Sequence, residues 1–317
     1  MVTRWSGAAG ARRRIAAALL GVLALTGCAT GSPPGPATPA PASTMSTQAS
    51  ATASSPATIS VDGRSALLYL PTSRPEAPTA LVVVLHGYTA EAAGAVEFLG
   101  LRAPADRRGV LLVAPQGTTD PEGNTFWNAS HACCDFHDSG VDDAGYLSRL
   151  IAAVAADHPV DPGRVYVVGH SNGGFMAHRM ACDHAGEVAA VASLAGALDA
   201  DGACAPERPV SVLQVHGTAD ESIGYDGGDI DGRRYTSAAG TVAAWRGLDG
   251  CGSSARRDGR IDADASLAGD DLTETTWTGC RDRTEVALWT IDGGSHVPAL
   301  TPAFASALLD WLEAHRR

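Results

Sequence analysis

The chain reads as an α/β protein with a mostly parallel central sheet and helices on both faces. Three observations predict this. Short, continuous apolar runs at residues 80–85, 110–115, 165–168, 188–194, 210–215 and 285–291 have the pattern of strands buried on both faces. Longer segments of helical character lie between most of them, so successive strands are joined by crossovers and run parallel. The run of about 260 residues that follows a low-complexity leader suits one large domain.

Each element has its own signal, starting at the N-terminus. Arg4 and Arg12-Arg13-Arg14 precede an apolar run at residues 15–25, too short to cross a bilayer and suited to a signal-peptide core. It ends in Leu25-Thr26-Gly27-Cys28, which resembles a bacterial lipobox. Residues 1–27 are therefore expected to be a lipoprotein signal peptide, and Cys28 the lipidated residue. An ordinary signal peptide that happens to include a cysteine is the alternative, and twin-arginine export stays open. Residues 28–57 are mostly Pro, Ala, Ser, Thr and Gly without charge, a disordered tether with an r.m.s. reach of about 30 Å. The expected location is the outer face of the bacterial cell membrane, through this anchor, or the extracellular medium after release.

Residues 58–317 form the expected folded domain. Residues 58–61 and 65–70, split by Asp62-Gly63, read as a hairpin. Residues 91–108 are expected to be helical, and 110–115 a strand. Asp142-Asp143 is expected to cap a helix to about residue 157, with both acids at its positive end. A helix is expected at 175–185 and another at 237–248. A closing helix at 302–315 carries Phe304, Leu308, Leu309 and Leu312 on one face.

Composition removes several functions. The 23 basic residues are all arginine, which excludes Schiff-base lysines, a Walker lysine and a Ser–Lys dyad. The first 57 residues carry four arginines and no acid, so the net −12 of the chain becomes −16 beyond them. That charge argues against a nucleic-acid partner. Six cysteines besides Cys28 make an even set in an exported chain. Cys251 with Cys280 is the first expected pair, bracketing an aspartate-rich excursion, and Cys182 with Cys204 the second. Cys133 and Cys134 then pair with each other, or exchange partners with Cys182 and Cys204. Their spacing does not support a zinc site.

The chemistry centres on Gly169-His170-Ser171-Asn172-Gly173. Gly-x-Ser-x-Gly is short enough to recur by chance. Here an apolar strand stands directly before it and a helical segment directly after, which is the context of a nucleophile elbow. A serine hydroxyl needs a base and an orienting acid. His296 lies in a glycine-rich loop after the last expected strand, and Asp220 in the turn after the strand at 210–215. Asp226, Asp229 and Asp231 are alternatives for the acid. His170 and His216 read as structural, and His131, His137 and His184 as surface residues. Two backbone N–H groups are needed for a developing oxyanion. Asn172, after the nucleophile, is expected to supply one and Tyr88, in the His86-Gly87-Tyr88 loop, the other.

Leu85-His86-Gly87-Tyr88, Trp127-Asn128, Cys133-Cys134, Val141-Asp142-Asp143, Gly169 through Gly174, His216 through Asp220 and Gly293-Gly294-Ser295-His296 together resemble the polyhydroxybutyrate depolymerase/feruloyl esterase family. The resemblance covers residues 58–317 and implies an α/β-hydrolase fold and carboxylic-ester hydrolysis by Ser171, His296 and Asp220. It also implies substrate contacts at Trp127 and Asn128. The chain departs from the family after the histidine, where Val297-Pro298 replaces a frequent tryptophan. The expected function is a feruloyl- or acetyl-type esterase for small or carbohydrate-linked esters, with no metal or cofactor. With the given sequence stopping just after the closing helix, small esters are expected to be better substrates than polyester films. A polyhydroxybutyrate depolymerase is the alternative, and a catalytically inactive substrate-binding lipoprotein the alternative of another class.

Overall fold

A computed structural model describes residues 55–73 and 77–317. The expected signal peptide, Cys28 and nearly all of the tether lie outside these residues. The domain begins with the hairpin β1 (Ala57–Val61) and β2 (Arg64–Tyr69), then β3 (Thr79–Leu85). Two helices follow, α1 (Ala92–Phe98) and α2 (Arg102–Arg108). The single helix expected over 91–108 is interrupted because Gly100 takes φ 63° between them. Next come β4 (Leu111–Pro115), the short pair β5 (Thr118–Thr119) and β6 (Thr125–Phe126), and α3 (Asp143–Asp157).

The centre of the chain is β7 (Val160–His170), α4 (Asn172–Asp183), β8 (Ala190–Leu194) and β9 (Ser211–Gly217). A small ribbon, β10 (Gly228–Ile230) and β11 (Arg233–Tyr235), precedes α5 (Ala238–Asp249). The chain closes with β12 (Ala255–Ile261), β13 (Leu272–Trp277), β14 (Val286–Ile291) and α6 (Pro302–Glu313).

Ten strands make one sheet in the order β1-β2-β4-β3-β7-β8-β9-β14-β13-β12. The inner six, β4 to β14, are mutually parallel, and the two strands added at each end are antiparallel. The segment between Cys251 and Cys280 is therefore no excursion. Its Arg and Thr residues lie along β12 and β13, which extend the sheet at an exposed edge. A search for continuous apolar runs passes over such strands.

Strand alternation divides the core into two layers. Leu81, Val83, Leu85, Val165, Val167 and Val212 point to the face covered by α3, α4 and α5. Val82, Val84, Tyr166, Val168, Leu213 and Val215 point to the face covered by α1, α2 and α6. Phe304, Leu308, Leu309 and Leu312 of α6 are buried there, as the spacing predicts. Truncating such a residue to alanine costs about 2–5 kcal/mol.

Only one of the two acids before α3 caps it. Asp142 accepts from the Gly145 N–H at 2.9 Å. Asp143 turns inward, pairs with Arg64 and accepts from the Asn128 N–H at 2.7 Å. Burial raises its carboxyl above the ordinary range, with Arg64 acting in the opposite sense. The cysteines pair as Cys133–Cys134, Cys182–Cys204 and Cys251–Cys280.

Candidate active site

The turn between β7 and α4 holds Ser171 at φ 55° and ψ −120°. This left-handed conformation is costly for a residue with a side chain and lifts it off the sheet. Close packing explains the flanking glycines. A Cβ at Gly169 would fall 2.0 Å from the Gly173 carbonyl oxygen, and one at Gly173 would fall 2.4 Å from that of Leu85. The Ser171 N–H donates to the Leu194 carbonyl at 2.8 Å, tying the turn to the end of β8.

Asp220 and His296 come from the loops that follow β9 and β14, two adjacent parallel strands. Backbone bonds staple those loops together: Ala219 N–H to Gly294 O at 2.9 Å and Thr218 N–H to Ile291 O at 2.9 Å. The Thr218 hydroxyl accepts from the Gly293 N–H at 2.7 Å. His296 Nε2 then stands 2.9 Å from Ser171 Oγ, and His296 Nδ1 stands 2.8 Å from Asp220 Oδ2. An ionised Asp220 can only accept, so Nδ1 carries the ring proton and Nε2 is left to accept from the serine.

Asp220 is the most heavily bonded member. Its Oδ1 accepts from the N–H groups of Ser222 at 2.9 Å and Ile223 at 2.8 Å. His216 Nε2 lies 3.3 Å from Oδ2 and 2.7 Å from the Ile223 carbonyl. Burial alone would raise the carboxyl pKa. Hydrogen bonds from His216 and His296 outweigh it and hold Asp220 well below the usual carboxylate range.

His170 braces the other side of His296. Its Nε2–H donates to the His296 carbonyl at 2.8 Å, and its ring lies between Phe98 and the His296 ring at 4.7 and 4.9 Å. Burial pushes His170 down to about 4, keeping it neutral and able to hold this geometry. His170 and His216 thus position the two loops. Sequence adjacency marked both residues, but neither contact was legible before folding.

The His86-Gly87-Tyr88 loop lies against the nucleophile, since a Cβ on Gly87 would be 3.4 Å from Ser171 Cβ. Asn172, as the first residue of α4, has no earlier turn to receive its backbone N–H. The Tyr88 hydroxyl donates to Asp120 at 3.2 Å, and its ring meets Phe136 edge-on.

Trp127 is not where the resemblance implied. Trp127 is fully buried, with its indole N–H donating to the His86 carbonyl at 3.0 Å. Its backbone is gripped from both sides by the Asn172 side chain, N–H to Oδ1 at 2.7 Å and carbonyl from Nδ2 at 2.9 Å. Asn128 donates to the Val141 carbonyl at 2.9 Å. Trp127 thus braces the segments around the serine from inside the core instead of facing substrate, while Asn128 is half-buried. Among the described residues, Val297, next to His296, is the large apolar side chain that stands exposed, at 61%. Asp229 Oδ1 accepts from Gly232 in the turn of the β10–β11 ribbon, which occupies that alternative acid.

Asp120, Glu122 and His137 each place one potential ligand atom within 4.8 Å of the others. Asp120 is already engaged by the N–H groups of Glu122 and Asn124 and by Tyr88. A separate cavity of about 660 Å³ lies between α4 and α5, lined by Phe175, Leu198, Ala244, Leu248 and the Cys182–Cys204 bridge.

A mostly parallel sheet layered by helices, with a serine on the sharp turn after a central strand, defines an α/β-hydrolase. The fold matches that of the acetyl xylan esterase from Aspergillus awamori with a TM-score of 0.55 at 16% identity, covering 79% of this chain and 94% of that one. The model of the family Esterase PHB depolymerase matches residues 64–278. The chain belongs to that family. It is 31% identical over 239 residues to NocK of Nocardia uniformis subsp. tsuyamanensis, across 72% of this chain and 66% of the relative. To feruloyl esterase B of Piromyces equi it is 28% identical over 197 residues, across 59% of this chain and 34% of the relative. The matched stretch thus spans less than two thirds of either relative.

Proposed function

We propose that this chain is an exported serine carboxylic-ester hydrolase of feruloyl or acetyl type, acting on small or carbohydrate-linked esters. The observation that carries the reading is the relay from Ser171 through His296 to Asp220, at 2.9 and 2.8 Å, on a backbone turn that exposes the serine. Family membership and the likeness to a feruloyl esterase support the reaction class.

The chemistry is two-step acyl transfer. Ser171 Oγ attacks the ester carbonyl as His296 Nε2 takes its proton. The negative charge on the tetrahedral oxygen is met by the backbone N–H groups of Asn172 and Tyr88. Asp220 keeps the proton on Nδ1 and stabilises the imidazolium. The carbonyl re-forms, the C–O bond to the alcohol breaks, and His296 gives its proton to the leaving alkoxide. Water then repeats the sequence on the acyl-enzyme and releases the acid.

Purified protein assayed on methyl ferulate, acetylated xylo-oligosaccharides, hydroxybutyrate oligomers and a polyhydroxybutyrate film tests the reading. Turnover of the aromatic or sugar esters supports it. Rapid film clearing without that turnover reverses the ranking in favour of the polyester, which the family's own name favours as second reading. Absence of fluorophosphonate labelling at Ser171 points instead to a non-catalytic binding protein.

A further inference from the structure

At the end of the sheet opposite Ser171, a cavity of about 390 Å³ is lined by Arg208, Asp282, Arg283, Thr284, Arg316 and Arg317. Its walls precede β8, β9 and β14, which are parallel to β7, so it lies at the strand starts while Ser171 lies past a strand end. Strands of five to seven residues separate the two by roughly 20 Å.

Four guanidinium groups face one side-chain carboxylate here, in a chain whose acids outnumber its arginines 35 to 23. Several arginines elsewhere are matched by acids: Arg64 with Asp143, Arg108 with Asp310 and Glu313, Arg149 with Asp62, Arg234 with Asp201. Arg316 is held by Asp161 at 2.7 Å. Among the described residues, Arg208, Arg283 and Arg317 make no such ion pair. The Arg208 Nε–H is also buried with no acceptor. A buried donor left unmet and like charges left to repel are both destabilising, and an oxyanion seated between them relieves both.

We infer that this cavity is an anion site for a phosphate group, read by the forked donors of Arg208 and Arg283, with Arg316 and Arg317 adding charge. Guanidinium groups match phosphate oxygens in paired hydrogen bonds, and the cavity admits a phosphate with its substituent. The inference is independent of the proposed ester hydrolysis, because the site lies at the other end of the sheet.

The test uses the full folded chain with its disulfides intact. Inorganic phosphate is titrated calorimetrically at constant ionic strength against chloride. In a second arm the protein is sedimented with vesicles of phosphatidylglycerol or of phosphatidylcholine. Arg208→Gln and Arg283→Gln are made singly and together, with thermal melting to verify folding. Arg283 is exposed, so its variant keeps the test valid should Arg208→Gln fail to fold. Saturable binding that each exchange weakens about tenfold supports the site. Binding of phosphate assigns a soluble ligand, and binding of anionic vesicles alone assigns a lipid headgroup. Ester turnover should be unchanged in either variant. Binding that is absent in both arms, equalled by chloride, or insensitive to the exchanges overturns the inference.

Discussion

Asp220→Asn is the sharpest perturbation of the proposed relay, because it changes one atom and almost no volume. The Ser222 and Ile223 N–H groups, at 2.9 and 2.8 Å, require an acceptor, so they select the amide oxygen at the Oδ1 position. The amide nitrogen must then occupy the Oδ2 position, 2.8 Å from His296 Nδ1. It donates where the carboxylate accepted. His296 is driven to the tautomer with its proton on Nε2, which now faces Ser171 Oγ at 2.9 Å as a donor and cannot take the serine proton. A triad aspartate exchanged for asparagine lowers turnover by about 10⁴, equivalent to ~5.5 kcal/mol of barrier. Since the fold loses only a charge, KM should move little and the far-UV spectrum not at all. The assay is initial-rate hydrolysis of a short p-nitrophenyl ester, with active-site titration to count functional serines. A variant retaining more than a tenth of wild-type kcat would refute the tautomer argument and reopen the choice of acid.

Other expectations follow from individual residues. Ser171→Ala should remove ester hydrolysis, by factors of about 10⁴ to 10⁶, with an unchanged melting temperature; wild-type turnover would exclude Ser171 as nucleophile. Asp249 is buried, has one oxygen without a partner, and is pushed up to about 7 by burial. A carboxyl raised in the fold contributes stability that is complete below its unfolded pKa of about 4 and is lost as pH rises towards 7. Asp249→Asn should therefore melt higher than wild type at neutral pH and equal it near pH 4; an equal gap at both would refute the assignment. Replacing Cys251 and Cys280 with serine opens a loop of 29 residues and should cost about 3–4 kcal/mol in the chain-entropy account, read by urea unfolding. Cys28→Ala should shift the protein from the membrane fraction to the medium or leave an unprocessed precursor, since a lipid anchor is lost; equal membrane retention would count against the lipobox.

Much of the candidate site was legible in one dimension because its parts follow local rules. The elbow needs glycine on both sides of Ser171 for steric reasons that any sequence must obey, and Gly169 and Gly173 stand there. Asp220 and His296 sit directly after apolar strands, where a parallel sheet delivers its loops to one edge. The expectation that Trp127 faces substrate failed because a motif records that a residue recurs, not what its side chain contacts. Trp127 serves the loop next to the serine from inside the core.

Local sequence was enough for the α/β class, the inner parallel strands and the order of the candidate serine, acid and histidine along the chain. These depend on apolar runs, turn chemistry and spacing, all of which are local. That β12 and β13 extend the sheet emerged only on folding, since polar edge strands are recognised by their partners and not by their composition. Folding also brings His216 and His170 against Asp220 and His296. Those contacts join residues brought together by strand pairing, as in the 126 positions between His170 and the His296 carbonyl. The arginine pocket arises the same way: its charges lie far apart in sequence and converge only because parallel strands all begin at one end of the sheet.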